Sequence, residues 1–278
     1  MKAIRIAAAV MPARVGRIGE NLDRMAHWID VAAGKEAGLI CFPELTITGY
    51  THKEDIRTAV QAVPGSVIQT LEEWAEAYNM VILAGLAEQD TPANLFLTHL
   101  VVTPSGLAGH YRKTHLAPPE QAIFDAGQSV PVFTALGMTF GVQLCYDAHF
   151  PELSTRMAQK GVDVIFMPHA SPRGTATQKH ESWMRHLRAR AFDNSVFVVA
   201  CNQCGKNGKG LSFPGNAVVI GPSGEILETR LSGDEGLLVA DLDPKLLTAV
   251  RGHKMRYFFP NRRPDVYSGD DPAALPGK

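Results

Sequence analysis

Residues 4–10 read Ile-Arg-Ile-Ala-Ala-Ala-Val, residues 39–42 read Leu-Ile-Cys-Phe, and what lies between them decides the fold. Both runs are short and apolar, as buried strands are. Between them Leu22, Met25, Ala26, Ile29 and Ala33 recur at helical spacing, and Gly38 closes the segment. A strand, a helix and a second strand in this order make a crossover unit, the signature of a layered α/β domain.

The plan repeats further on. Ser66 and Gln69 have the spacing of a capping box, Val67, Leu71, Trp74, Ala75 and Tyr78 form an inward stripe, and residues 80–86 read as the next strand. Hairpins then replace crossovers: 94–102 with 107–115 across Thr103-Pro-Ser-Gly106, and 217–220 with 226–229 across Gly221-Pro-Ser-Gly224. Between the hairpins the pattern predicts a strand at 139–144, a helix from Pro151 to near Gly161 and a strand at 162–167. One helix over 178–194 and a strand at 196–200 follow. Crossovers mixed with hairpins predict large mixed sheets covered by helices, and 278 residues suffice to stack two such sheets. One domain is expected over 1–267. A loose extension over 268–278, with Gly269, Asp270, Asp271, Pro272 and Pro276, would follow it.

Lys and Arg total 27 against 28 for Asp and Glu, which leaves no cationic surplus to grip a nucleic-acid backbone or an anionic membrane. A small-molecule partner is expected instead. The apolar start carries Arg5 and runs into Pro12, Arg14 and Arg17, too short and interrupted for a signal peptide, and no later apolar run could span a bilayer. Cys41, Cys145, Cys201 and Cys204 are too few and scattered for a disulfide framework, so a reducing cytoplasm is the expected location.

Three polar residues end apolar strands where core packing does not call for them: Glu44 after 39–43, Lys113 within 110–115, and Cys145 after 139–144. The carboxyl ends of strands in α/β sheets are where ligands bind. Taken singly, each residue has a structural reading: a buried core thiol, a turn-capping acid, an edge lysine that discourages strand addition. Together they are chemically complementary. A thiol attacks well as thiolate, Glu44 could take its proton, and Lys113 could stabilise negative charge. Attack on an amide carbonyl also needs a donor for the developing oxyanion, which the backbone N–H of Tyr146 could supply. Protonated Glu44 could then release the amine and afterwards activate the water that opens the thioester.

Phe42-Pro-Glu-Leu45 with Gly49-Tyr50, Tyr111-Arg-Lys-Thr-His-Leu116, and Gly141-Val-Gln-Leu-Cys-Tyr-Asp147 with Phe150-Pro-Glu152 resemble, in this order, the three catalytic blocks of the nitrilase superfamily of carbon-nitrogen hydrolases. Leu187-Arg-Ala-Arg-Ala191, Gly221-Pro-Ser-Gly-Glu225 and Arg262-Arg-Pro-Asp-Val-Tyr267 extend the likeness over nearly the whole chain. The resemblance implies a four-layer αββα sandwich, paired into a homodimer or higher homo-oligomer. It also implies cofactor-free hydrolysis of a non-peptide carbon-nitrogen bond in a small linear amide or N-carbamoyl compound, with ammonia or amine released. Glu44 is implied as general base, Lys113 as transition-state cation and Cys145 as nucleophile. Glu120, in Pro118-Pro-Glu-Gln121, matches a second family glutamate that orients the lysine, and His169 stands where the family faces the substrate. Carbamoyl-hydrolysing members tend to carry arginines shortly after the cysteine. Here Ala148 and His149 occupy those places, while Arg173 follows in a nearby loop.

Other readings use the same residues differently. The same thiol could attack a nitrile, or the chain could be a silent scaffold on this fold, against which the intact Glu44, Lys113 and Cys145 argue. Cys201 and Cys204 form a C-x-x-C, but no second pair completes a zinc site and the motif ends a strand rather than opening a helix. His180-Glu181 with His186 misses the metalloprotease spacing, and Gly205, Gly208 and Gly210 match no phosphate-binding pattern. A Cys-His protease using His149 or His115 is unnecessary once Glu44 and Lys113 are supplied. No metal or nucleotide cofactor is expected.

Overall fold

The computed structural model describes residues 1–267; the extension expected over 268–278 lies outside the described residues. The first crossover is β1 (Ile4–Val10), α1 (Ile18–Ala33) and β2 (Leu39–Cys41), with β1 and β2 parallel. The second adds α2 (Ser66–Ala77) and β3 (Val81–Gln89), again parallel to β2. The hairpin strands β4 (Leu95–Thr103) and β5 (Gly106–Arg112) extend this sheet antiparallel. A second sheet starts at β6 (Phe133–Ala135) and β7 (Met138–Val142), crosses through α3 (Pro151–Gln159) to β8 (Val164–His169), and through α4 (Ala176–Met184) and α5 (Leu187–Asn194) to β9 (Phe197–Asn202). A short ribbon, β10 (Cys204–Lys206) with β11 (Ser212–Pro214), precedes β12 (Ala217–Ile220) and β13 (Ile226–Arg230). Last come β14 (Gly236–Leu242), α6 (Pro244–Arg251) and α7 (Pro264–Tyr267).

Each main sheet has six strands, ordered β14-β1-β2-β3-β4-β5 and β13-β12-β9-β8-β7-β6. Strand alternation sorts the layers. On β1, Ile4, Ile6, Ala8 and Val10 face the second sheet, packing into a core with Phe140, Phe166 and Cys201. Ala7 and Ala9 face outward against Met25 and Ile29 of α1 and Leu71 and Ala75 of α2. On the far side Leu153, Met157, Leu187 and Ala191 seat α3 and α5 on the second sheet, which completes the expected αββα sandwich. Packing rather than capping holds α1, which has no side-chain cap. Burying Met25 or Ile29 contributes about 1.5–3 kcal/mol each, more than the roughly 1 kcal/mol a cap supplies.

Several expectations are corrected. Ser66 is not a cap: Gly65 takes the capping position with extended backbone, because a side chain there would meet the Ala62 carbonyl at 2.6 Å. The single helix expected over 178–194 is two, broken at Arg185 and His186. The break lets Trp183 pack on His169 while Leu187 and Ala191 stay on the sheet. β7 ends at Val142, so Gln143 and Leu144 form a connector rather than strand.

Candidate active site

Glu44 follows β2 in a turn whose backbone is pinned from both sheets. Phe42 and Ile47 donate to the carbonyls of Leu83 (2.9 Å) and Gly85 (2.9 Å), and the Gln203 side chain donates to the Glu44 carbonyl (2.7 Å). Leu45, with φ +51°, turns the chain, and Gly85 must lack a side chain because a Cβ would stand 2.5 Å from the Leu45 nitrogen. Lys113 continues the β5 ladder by donating its N–H to Leu97 (2.9 Å). Glu120 sits in a one-turn loop, donating to the Ala117 carbonyl (2.8 Å) and accepting the Ala117 N–H on Oε2 (2.7 Å).

The Lys113 Nζ donates to Glu44 Oε1 and Glu120 Oε1, both at 2.9 Å, and all three side chains are buried. Tyr50 donates its hydroxyl to Glu120 Oε1 (2.8 Å), and the Ala170 N–H, at the end of β8, donates to Glu44 Oε2 (3.0 Å). Two acids thus share one ammonium, which leaves a net negative charge out of water if both are ionised. Burial, reinforced by Glu120 and opposed by Lys113, accordingly pushes Glu44 up to about 7. Burial disfavours the Lys113 ammonium, but Glu44 and Glu120 outweigh it and raise lysine well above its ordinary range.

Cys145 begins a single 3-10 turn, Cys145–His149, with φ +45°. A non-glycine residue in that left-handed region is strained and needs its neighbours to hold it. Asp147 does so: its N–H donates to the Leu144 carbonyl (3.0 Å) and its carboxylate accepts the Leu144 N–H (3.0 Å). Of the four free cysteines only Cys145 is partly exposed. Burial, then the Glu44 carboxylate, raise its pKa, and Lys113 only partly offsets them. The resting group is therefore a thiol beside a carboxylate base, not the standing thiolate that a nearby lysine suggests.

Cys145, Glu120, Tyr146 and His169 line one cavity of about 350 Å³. Glu44 and Lys113 are enclosed beside it, joined to the wall through Glu120 and Ala170 and felt electrostatically by the thiol. His169 Nδ1 contacts the Met167 carbonyl at 2.7 Å and its ring lies 4.3 Å from Trp183, while burial keeps the imidazole neutral. Tyr146, the second residue of the 3-10 turn that Cys145 begins, packs edge-on against Phe150. Sequence reasoning missed Ala170, Tyr50 as a partner of Glu120, and the wall residues Lys179, Trp183 and His186. Tyr50 stood within a family-like block, whereas an amide N–H carries no side-chain signal.

Of the residues in the competing readings, His149 and His186 share the cavity wall with Cys145, their rings 4.4 Å apart, and the others stand elsewhere. Cys201 donates its thiol to the Cys41 carbonyl (3.6 Å), Cys204 packs beside Gly215, and both thiols are free. His115 stacks on Phe150 at 3.9 Å and contacts Asp147. Among the described residues no group of three or more His, Cys, Asp or Glu could hold a metal, and no helix is long and apolar enough to cross a membrane.

A family model described as carbon-nitrogen hydrolase matches residues 5–252. The chain is 29% identical over 250 residues to an (R)-stereoselective amidase of a Pseudomonas species, covering 89% of this chain and 88% of that protein. It is 30% identical over 274 residues to a protein of Pyrococcus abyssi named nitrilase, covering 95% and 99%. The structure of a cysteine-to-alanine variant of the amidase from Nesterenkonia sp. AN1, in complex with butyramide, superposes with a TM-score of 0.78 at 26% identity over 95% of this chain and 96% of that one. A further structure of that amidase, showing Michael addition of acrylamide at its active-site cysteine, gives 0.79 at 25% identity over 95% and 98%.

Proposed function

The chain belongs to the carbon-nitrogen hydrolase family, and from that premise we propose that it is an amidase, hydrolysing a small linear amide through a thioester on Cys145 with release of ammonia. The observation that carries the reading is the contact of Lys113 with both Glu44 and Glu120 beside the cavity that exposes the thiol. The amidase with butyramide or acrylamide at its active site supports the substrate class.

In the first half-reaction Glu44 takes the Cys145 proton as sulfur attacks the carbonyl carbon. A carboxyl whose pKa is about 7 suits this role, since it is basic enough to accept the proton and acidic enough to return it. The Lys113 ammonium and the Tyr146 N–H hold the developing oxyanion. Glu44 then protonates the departing nitrogen and ammonia leaves. In the second half-reaction Glu44 takes a proton from water, hydroxide adds to the thioester carbon, and collapse expels sulfur, which regains its proton from Glu44. Glu120, held by Tyr50 and Ala117, positions Lys113.

An ammonia-release screen over short amides, ω-amides, carbamoyl compounds and nitriles tests the reaction; nitriles are included because a relative carries the name nitrilase. Cys145→Ala should abolish release while the fold persists, and intact-mass analysis of wild-type protein under turnover should show the acyl adduct. Release near the parent rate from Cys145→Ala would end the reading. The proposal includes a homodimer or higher oligomer working in a reducing cytoplasm. Exposed Phe192 and Phe258, 5.4 Å apart, support an apolar pairing face, which light scattering tests.

A further inference from the structure

His169 ends β8 in the cavity wall, and only one of its ring nitrogens is partnered inside the protein. Nδ1 stands 2.7 Å from the Met167 carbonyl, which can only accept, so Nδ1 carries the hydrogen. Burial lowers the imidazole pKa well below the histidine range, which leaves Nε2 as a bare acceptor. Among the described residues nothing donates to it. Both nitrogens of His99 are likewise without partners but sealed in the core, whereas Nε2 of His169 keeps access to the space its ring lines. The ring is also held in place. Trp183 packs on it at 4.3 Å and 38°, and the peptide that joins His169 to Ala170 gives its N–H to Glu44 Oε2 (3.0 Å). One peptide bond thus sets the position of both the acceptor and the base.

We propose that His169 Nε2 accepts an N–H of the substrate's departing nitrogen and so selects amides over esters of the same acid. This deepens the amidase reading and rests on it. An amide nitrogen enters the cavity with N–H groups that lose water and need acceptors. A neutral acceptor suits them better than another acid would, because it adds no charge beside Glu44. No proton passes to His169. Glu44 protonates the nitrogen, the carbon-nitrogen bond breaks with its electron pair on nitrogen, and Nε2 keeps hold of an N–H until ammonia leaves. An ester oxygen has no hydrogen to offer and would set lone pair against lone pair.

The test compares butanamide with methyl butanoate, and benzamide with methyl benzoate. Each pair forms the same acyl-enzyme, so the ratio of kcat/KM, amide over ester, reports how the leaving group is handled. His169→Phe keeps a ring for Trp183 and removes the acceptor. It should lower that ratio at least about tenfold, through the amide, with the acid limb at about pH 7 unmoved. His169→Gln returns an acceptor and should recover most of the ratio. In Cys145→Ala, where His169 is intact, butanamide should move the nitrogen NMR resonance of Nε2 from that of an unprotonated imidazole toward that of a hydrogen-bonded one. A ratio unchanged in His169→Phe, equal losses on both members of a pair, or an Nε2 signal indifferent to saturating butanamide would overturn the acceptor role and leave the amidase reading standing. No ammonia from any amide would overturn both.

Discussion

Tyr111 and Asp147, two residues before Lys113 and two after Cys145, are joined by a hydrogen bond of 2.8 Å from the phenol to the carboxylate. The same carboxylate accepts the Thr114 hydroxyl (2.9 Å), the His115 N–H (2.8 Å) and the Leu144 N–H (3.0 Å). One buried acid therefore ties the turn that carries the nucleophile to the segment that carries the cation. Asp147→Asn should cost about 2–4 kcal/mol, because an amide group cannot accept on both sides. In a domain this size that lowers Tm by roughly 5–15 °C, and kcat should fall with it. Tyr111→Phe removes one bond and should cost about 1 kcal/mol. An unchanged Tm in Asp147→Asn would contradict the tie.

The pH profile should report Glu44. A base acts when ionised, so kcat/KM should rise with pH through about 7 and level off above it. Burial holds His149, His169 and His186 below the ordinary histidine range, so these imidazoles do not supply that limb. His52 also lines the cavity, so the profile should be repeated in His52→Gln, where the limb is expected at the same pH.

Glu120 adds to the upward push on Glu44. Glu120→Gln should therefore move the acid limb to lower pH while it lowers kcat, since Lys113 loses a positioning partner. A variant that loses kcat with the limb unmoved would assign Glu120 a role independent of Glu44.

Among the cysteines, iodoacetamide should modify Cys145 first. Cys41 and Cys201 are fully enclosed and Cys204 nearly so, whereas Cys145 opens on the cavity. Because burial and Glu44 hold its proton on, labelling should accelerate with rising pH. Peptide mapping that finds Cys204 labelled ahead of Cys145 would contradict this.

Gly85→Ala places a methyl 2.5 Å from the Leu45 nitrogen and 3.0 Å from His99. Backbone there cannot retreat as a side-chain end can, so destabilisation of about 1–3 kcal/mol is expected, together with reduced kcat as the Glu44 turn shifts. Chemical denaturation and the ammonia assay measure the two effects.

The crossovers were legible because helical periodicity is a strong local signal, and α1 through β3 follow it closely. Glu44, Lys113 and Cys145 stood out as polar residues closing apolar runs. What escaped is non-local. β14 gains its place by pairing with β1, Ile4 opposite Leu242, across almost the whole chain. The break at His186 answers to the cavity, where Trp183 meets His169, rather than to any helix breaker in the sequence. Ala170 acts through its backbone, and Lys179 was hidden as one more cation on a helix.

Glu44 and Lys113 follow strands of one sheet, while Cys145 and the Ala170 amide follow strands of the other, and of the first sheet only β14 comes from beyond β6. Severing the backbone between β5 and β6 would hand the acid and the ammonium to one fragment and the sulfur to its complement. Neither fragment could turn over substrate by itself. Activity regained on mixing them would then count productive reunions of the two halves, making the enzyme a gauge of its own assembly.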